Sequence, residues 1–255
     1  MTKIVAVIPS HLSSVRFPGK ILFPFHGMPM IEHVRRRALL AQGLHSVAVA
    51  TCDVEIADAV RAGGGDVIMT ADTHSNGTTR VAEAVAALDC THVLLLQGDE
   101  PLLLPRHVEA MIAAINANPG NDAWNATAPI SEPEELDRHS FVKCAVNADG
   151  RVIYAFRRSP STAAFADQQR YIRKVLGIIA YRRDFLLDIA AAPQSLVERY
   201  ESIEQMRIVE AGHSLLSVPV QESLPSVNEP READIVLEHI RNDPEQAQLL
   251  ARILP

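Results

Sequence analysis

Over the first 117 residues, short runs of apolar and β-branched residues alternate with stretches whose apolar positions recur every three or four residues. The runs Lys3–Pro9, Ser46–Thr51, Asp66–Thr70 and His92–Gln97 predict strands, and Met30–Ala41, Glu55–Ala62, Thr79–Ala87 and Arg106–Ala117 predict the helices between them. Such alternation is the signature of a mostly parallel sheet wrapped by helices. Gly63-Gly64-Gly65 follows the second helical stretch, where a C-terminal stop belongs.

Beyond Asn118-Pro119-Gly120 the pattern lengthens into extended stretches, Val142–Asn147, Arg151–Phe156 and Tyr171–Tyr181. The first two flank Ala148-Asp149-Gly150 and predict a hairpin. Ser159–Gln169 is polar and alanine-rich without a period, as expected of a mobile loop beside a site. Helices are predicted again at Leu196–Ala211 and Arg231–Arg241, with a strand at Leu215–Val220 between them. No repeat or linker demands a second domain, so residues 1–255 are read as one α/β domain, Rossmann-like, with an inserted extended and hairpin region.

Composition narrows the function classes. With 47% apolar residues the chain is globular, and the net charge of -7, with basic residues scattered, offers no broad cationic face for nucleic acid. The apolar start Ile4–Pro9 is too short for a signal or a membrane span, and nothing approaches the roughly 20 apolar residues of a spanning helix. Cys52, Cys90 and Cys144 have no metal or redox spacing and are expected to stay reduced in a cytoplasmic protein.

Chemistry concentrates just beyond predicted strand ends. The segment Pro9-Ser10-His11-Leu12-Ser13-Ser14-Val15-Arg16-Phe17-Pro18-Gly19-Lys20 puts hydroxyls, a guanidinium and an ammonium in one loop. At the C-terminal edge of a parallel sheet, such a loop is placed to wrap phosphates, Arg16 through its fork and Lys20 as a point charge. Gln97-Gly98-Asp99-Glu100-Pro101 follows an apolar strand, where Asp99 is placed to hold Mg²⁺. Met69-Thr70-Ala71-Asp72-Thr73-His74-Ser75-Asn76-Gly77-Thr78-Thr79-Arg80 combines polar groups, a glycine for close approach, and an Asn76 or Thr78 able to cap the next helix. On a continuous helix, Glu201, Glu204 and Gln205 would share one face.

Together these segments resemble the signatures of the CMP-KDO synthetases, the 3-deoxy-manno-octulosonate cytidylyltransferases, over nearly the whole chain. The resemblance implies a nucleotide-diphospho-sugar transferase type of fold and transfer of CMP from CTP to KDO or a similar sugar acid, with pyrophosphate released. It implies that Arg16, Lys20 and Asp99 are catalytic, and that Pro9, Ser14, Met69, Thr70, Gly77, Thr78, Arg80 and Gln97 join Arg16 and Lys20 in binding nucleotide. Lys143, Arg158, Glu204 and Gln205 would meet an anionic acceptor, and Asp99 and Asn228 would hold Mg²⁺. Residues 120–182 would form the acceptor-binding and dimerisation region of a homodimer.

The chain departs from the family at positions that matter. His11 stands for an arginine of the phosphate loop, Val175 and Ile179 replace a histidine and a tyrosine of the sugar pocket, and Asn228 replaces an aspartate in Gly-Val-Asp-Thr. A hydroxyl-rich acceptor would leave hydroxyls unpaired against aliphatic walls, so KDO is expected to be a poorer substrate than another acid, such as a related sugar acid or a phosphonate. Two other readings stay open on the residues: a UTP- or GTP-dependent pyrophosphorylase, and a protein that binds CTP without turning it over.

Overall fold

The computed structural model describes residues 2–254, which form two compact units. One holds the chain up to Glu109 together with the segment from Leu224 onward; the other holds Ala110–Ser223. One chain crossing lies inside a helix, which explains why no linker composition marks it.

The first unit begins with β1 (Ile4–Ser10), a small antiparallel pair β2 (Pro24–Phe25) and β3 (Met28–Pro29), and α1 (Met30–Leu39). It continues through β4 (Ser46–Thr51), α2 (Val54–Ala62), β5 (Asp66–Met69), α3 (Gly77–Ala86), β6 (His92–Leu96) and α4 (Pro105–Ala117). β1 pairs in parallel with β6 on one side and β4 on the other, and β5 adds to β4 in parallel. The predicted strands and crossover helices therefore all exist, with ends shifted by a residue or two. Val5-Ala6-Val7-Ile8 and Val93-Leu94-Leu95-Leu96 are buried without alternation, as expected for parallel strands covered on both faces. Each large side chain withdrawn there contributes roughly 1.5–3 kcal/mol.

Helix α1 is amphipathic, yet its polar side is also partly buried. The Glu32 carboxylate accepts Arg35 Nε at 2.5 Å and Arg36 Nε at 2.9 Å, and Arg35 Nη2 reaches the Gly63 carbonyl at 2.8 Å. The glycine run after α2 does more than end a helix: Gly64 sits at φ +73°, and a Cβ on Gly63 or Gly65 would collide with Glu32 or Arg35.

The second unit contains β7 (Ala123–Pro129), β8 (Lys143–Val146), β9 (Val152–Phe156), α5 (Phe165–Gln168), β10 (Ile172–Arg182), α6 (Arg183–Ala191), α7 (Leu196–Glu201), α8 (Met206–Glu210) and β11 (Leu215–Pro219). β11 lies parallel to β7; the pairs β7–β10, β10–β8 and β8–β9 are antiparallel. The predicted hairpin is β8–β9, turning at Gly150 with φ +77°. The pattern reading missed β7, because Asn125 and Thr127 interrupt its apolar run. Both are buried, and Asn125 Nδ2 donates to the carbonyls of Ala126, Leu176 and Ile178.

Two expectations change here. Leu196–Ala211 is not one helix: Ser202 adopts φ +54°, α7 ends, and Gln205 stands at the N-cap of α8. Glu201, Glu204 and Gln205 therefore do not form one helical face. Ser159–Gln169 holds the short α5 and internal bonds from Ser159 Oγ to Gln168 Oε1 and from Tyr171 Oη to Ser161 Oγ.

The chain then returns to the first unit with α9 (Pro230–Asn242) and α10 (Pro244–Ile253). A reciprocal cap between Glu229 and Glu232, with Pro230 inside the first turn, starts α9. α10, absent from the pattern reading, docks on α1 through Arg37 Nη1 to Gln246 Oε1 at 2.7 Å and Arg36 Nη1 to the Ile253 carbonyl at 2.8 Å.

Candidate functional site

A cavity of about 650 Å³ opens in the first unit, lined by the segments that leave the C-terminal ends of β1, β4, β5 and β6. This is where a parallel sheet receives ligands, because β1 feeds neighbours on both sides and the loops part there. Its walls include Pro9, His11, Ser14, Arg16 and Lys20 from the first loop, Cys52 and Asp53 after β4, and His74, Asn76, Gly77 and Arg80 before and within α3. Gln97, Gly98 and Asp99 after β6, with Asn228, complete it.

The loop is shaped by its own backbone. The Leu12 carbonyl accepts the N–H groups of Ser14 at 2.9 Å and Gly19 at 3.0 Å, and Gly19 takes φ +71°, which favours glycine. Lys20 Nζ then donates to Asp99 Oδ2 at 2.6 Å and to the Val227 carbonyl at 2.8 Å. Arg16 Nη2 donates to Asn228 Oδ1 at 2.9 Å. Gly98 packs so tightly that a Cβ there would lie 2.9 Å from Ser10 Oγ.

Asn76 caps α3, accepting the Thr79 N–H at 2.9 Å. Arg80, buried to 3% exposure, donates to Thr70 Oγ1 at 2.6 Å and still lines the cavity. Glu83 holds the same loop: its carboxylate takes the Ala71 N–H at 3.1 Å and pairs with His74. The His74 bond and the Ala71 N–H keep the Glu83 carboxyl below its usual range. Desolvation, then Arg80, lowers the His11 pKa against the pull of Asp53.

Of the residues expected to bind nucleotide, Pro9, Ser14, Arg16, Lys20, Gly77, Arg80 and Gln97 line the cavity, and Asp99 and Asn228 join them. Thr70 and Thr78 lie in the layer behind, and Met69 is exposed away from the lining. Asp53 and Glu83 were passed over in the sequence; the signal for Asp53 was a carboxylate at the junction between a buried strand and a helix.

A hard divalent cation such as Mg²⁺ wants oxygen ligands, and Asp99 and Asn228 both supply one on the cavity wall. Among the described residues no group of three or more His, Cys, Asp or Glu could hold a metal alone. Two oxygen donors match a cation such as Mg²⁺ only where its remaining ligands come from water and a bound nucleotide.

The residues expected at the acceptor lie in the second unit. Lys143 does not fit that role: it is fully buried, its ammonium donates to the carbonyls of Arg138 and Phe141 at 2.9 Å each and of Arg157, and burial pushes its pKa down to about 8. Arg158 is exposed and lines a smaller cavity of about 250 Å³ with His139, Tyr154 and Glu201. Gln205 Nε2 donates to Asn125 Oδ1 at 3.0 Å. Val175 and Ile179 flank a register break in β10, with Ile179 buried and Val175 half-buried.

A parallel sheet ending in a cation-bearing loop, facing a carboxylate at the end of a neighbouring strand, is an arrangement suited to a phosphate-bearing ligand such as a nucleotide. The sequence profile of the cytidylyltransferase family matches residues 5–217, and the chain belongs to that family as a CTP-dependent enzyme. It is 39% identical over 231 residues to the 3-deoxy-manno-octulosonate cytidylyltransferase of Escherichia coli, covering 90% of this chain and 93% of the relative. It is 38% identical over 217 residues to the 8-amino-3,8-dideoxy-manno-octulosonate cytidylyltransferase of Shewanella frigidimarina, covering 84% of this chain and 88% of that one. The solved structure of CMP:2-keto-3-deoxy-manno-octonic acid synthetase complexed with CTP aligns with a TM-score of 0.88 at 36% identity, over 94% of this chain and 99% of that one.

Proposed function

We propose that the enzyme transfers CMP from CTP to an eight-carbon sugar acid of the KDO class and releases pyrophosphate. The observation that carries this reading is the string of contacts Arg16–Asn228 and Lys20–Asp99 on the cavity wall, two cations beside two oxygen donors. In it, Arg16 and Lys20 neutralise the CTP phosphates, Arg80, Gly77 and Gln97 seat the nucleoside, and Asp99 with Asn228 holds Mg²⁺. When bound, Mg²⁺ offsets charge on the phosphates. The oxygen of an acceptor hydroxyl attacks the α-phosphorus and releases its proton to water, the bond to the β-phosphate oxygen breaks, and pyrophosphate carries away the electron pair. Positioning and charge neutralisation supply most of the acceleration in such a transfer.

The acceptor class follows from relatives whose names specify an octulosonate or its 8-amino form. A pyrophosphate-release screen with CTP, UTP and GTP against KDO, its 8-amino analogue, other sugar acids and phosphonates tests it. Turnover is expected with CTP and an octulosonate; a preferred phosphonate, or CTP binding with no turnover on any acceptor, overturns it.

Val175 and Ile179 favour a refinement, that KDO itself is used less well than a related acid. Ile179 is buried at 5% exposure, so a larger residue there would strain the core, whereas half-buried Val175 tolerates change. Val175→His is therefore expected to raise kcat/KM for KDO relative to the best acceptor. Unmodified enzyme converting KDO at about 10⁵ M⁻¹s⁻¹, an ordinary efficiency for a native substrate, would refute the refinement.

The working form in this reading is a cytoplasmic homodimer. Exposed Ile153 and Tyr154 on β9 supply apolar surface in the expected contact region. A monomer by light scattering at assay concentration removes that part.

A further inference from the structure

Asp53 occupies the N-cap position of α2, in extended backbone at φ -95° and ψ 124°. An aspartate there ordinarily turns its carboxylate onto N–H groups of its own first turn. This one makes no such bond. Its Oδ2 instead accepts the Leu12 backbone N–H at 2.8 Å, across 41 residues of sequence.

Leu12 is the knot of the first loop, since its carbonyl receives both Ser14 N–H and Gly19 N–H. The limb that carries Arg16 is thus tied to the stem that ends on Lys20, and both hang from the residue that Asp53 holds. Asp53 is itself anchored to the sheet, its N–H donating to Oγ1 of fully buried Thr51 at 3.1 Å. A carboxylate on the wall of a cavity that takes a triphosphate repels the ligand, so its presence there calls for a purpose that offsets the cost. Here the loop amide supplies that purpose.

We propose that Asp53 is a positioning residue for nucleotide binding: it fixes Leu12 and thereby presets Arg16 and Lys20 for the phosphates, without itself contacting them. The inference rests on assigning this cavity to CTP. It predicts an effect on CTP affinity shared by ground and transition states, hence on KM more than on kcat.

The test compares Asp53→Ala, Asp53→Ser and Asp53→Asn with the unmodified enzyme by calorimetric titration of CTP, steady-state KM and kcat, and thermal unfolding. Asparagine keeps an oxygen acceptor for Leu12 and removes a negative charge from the cavity wall, so it is expected to hold Kd at or below the unmodified value. Serine can cap α2 but is too short for Leu12; it is expected to keep Tm while raising Kd and KM about tenfold or more, the scale of a lost hydrogen bond to a charged group. Alanine is expected to raise Kd similarly with a lower Tm, and should it fail to fold, serine alone decides.

A serine variant with unmodified Kd overturns the proposal, as does an asparagine variant as weak as serine. Unmodified enzyme that fails to bind CTP at all refutes instead the assignment of the cavity, and the proposal falls with it.

Discussion

Lys20 and Asp99 are paired at 2.6 Å with side chains only 11% and 24% exposed, so the pair sits where charge is less screened than on an open surface. In the proposed assignment, removing Lys20 takes a cation from the phosphates and also leaves Asp99 unopposed, which repels the ligand. Lys20→Ala and Arg16→Ala are each expected to lower kcat/KM roughly 10²–10³-fold in a pyrophosphate-release assay. Circular dichroism should show the fold retained, because both groups line the cavity and neither belongs to the apolar core. A variant with full CTP-dependent turnover would refute their role. Asn228 makes a separate case. Its amide oxygen accepts from Arg16 but carries no charge, so Asn228→Asp should strengthen Mg²⁺ binding, lowering the Mg²⁺ concentration for half-maximal rate several-fold. An unchanged Mg²⁺ dependence would mean that this oxygen does not reach the metal.

At the scale of elements, the four parallel strands and their crossovers were legible because each strand is a short continuous apolar run and each crossover helix repeats its apolar positions every three or four residues. What the period could not show was a strand whose polar residues are spent on backbone carbonyls, as Asn125 is in β7, or a helix broken by one left-handed residue, Ser202. That the first loop lines the cavity was legible from Arg16 and Lys20, whereas the hold of Asp53 on Leu12 joins residues far apart in sequence and has no local signature. The glycine run shows the same limit: it reads as a stop, yet its packing role depends on Glu32 and Arg35 from another helix. Gly63→Ala needs no unusual backbone, its φ being -81°, but its methyl would press on a carboxylate held by two arginines. That carboxylate is the anchored part of a buried network, not a free end able to swing aside. The substitution is expected to destabilise the enzyme by roughly 1–3 kcal/mol in urea unfolding, the scale of overpacking in a well-filled site. Gly64 carries the positive φ, so Gly64→Ala tests backbone strain alone, and a Gly63→Ala variant as stable as the unmodified protein would show that Glu32 yields.

For the whole molecule, stability should depend on acid through a group remote from the cavity. His33 on α1 is fully buried; its Nε2 donates to the Phe25 carbonyl at 2.8 Å, its ring meets the Phe25 ring edge-on at 5.9 Å, and its Nδ1 has no partner. Burial, opposed by the Phe25 carbonyl and aided by Arg37, pulls its pKa from 6.5 down to about 4. The folded state thus refuses a proton that the unfolded chain accepts below about pH 6.5. Stability is fully present above that value and falls as pH drops toward 4, by about 1.4 kcal/mol per unit and on the order of 3 kcal/mol in all from this group. His33→Gln keeps an N–H for the Phe25 carbonyl and cannot titrate. Urea unfolding at pH 7.5, 5.5 and 4.5 is expected to show a shallower acid loss for His33→Gln than for the unmodified protein, whatever the offset between them at pH 7.5. Carboxylate titration acts on both proteins alike and cancels in the comparison. Parallel profiles through that window would mean that His33 binds its proton alike in the folded and unfolded states, and that its burial does not set the acid loss.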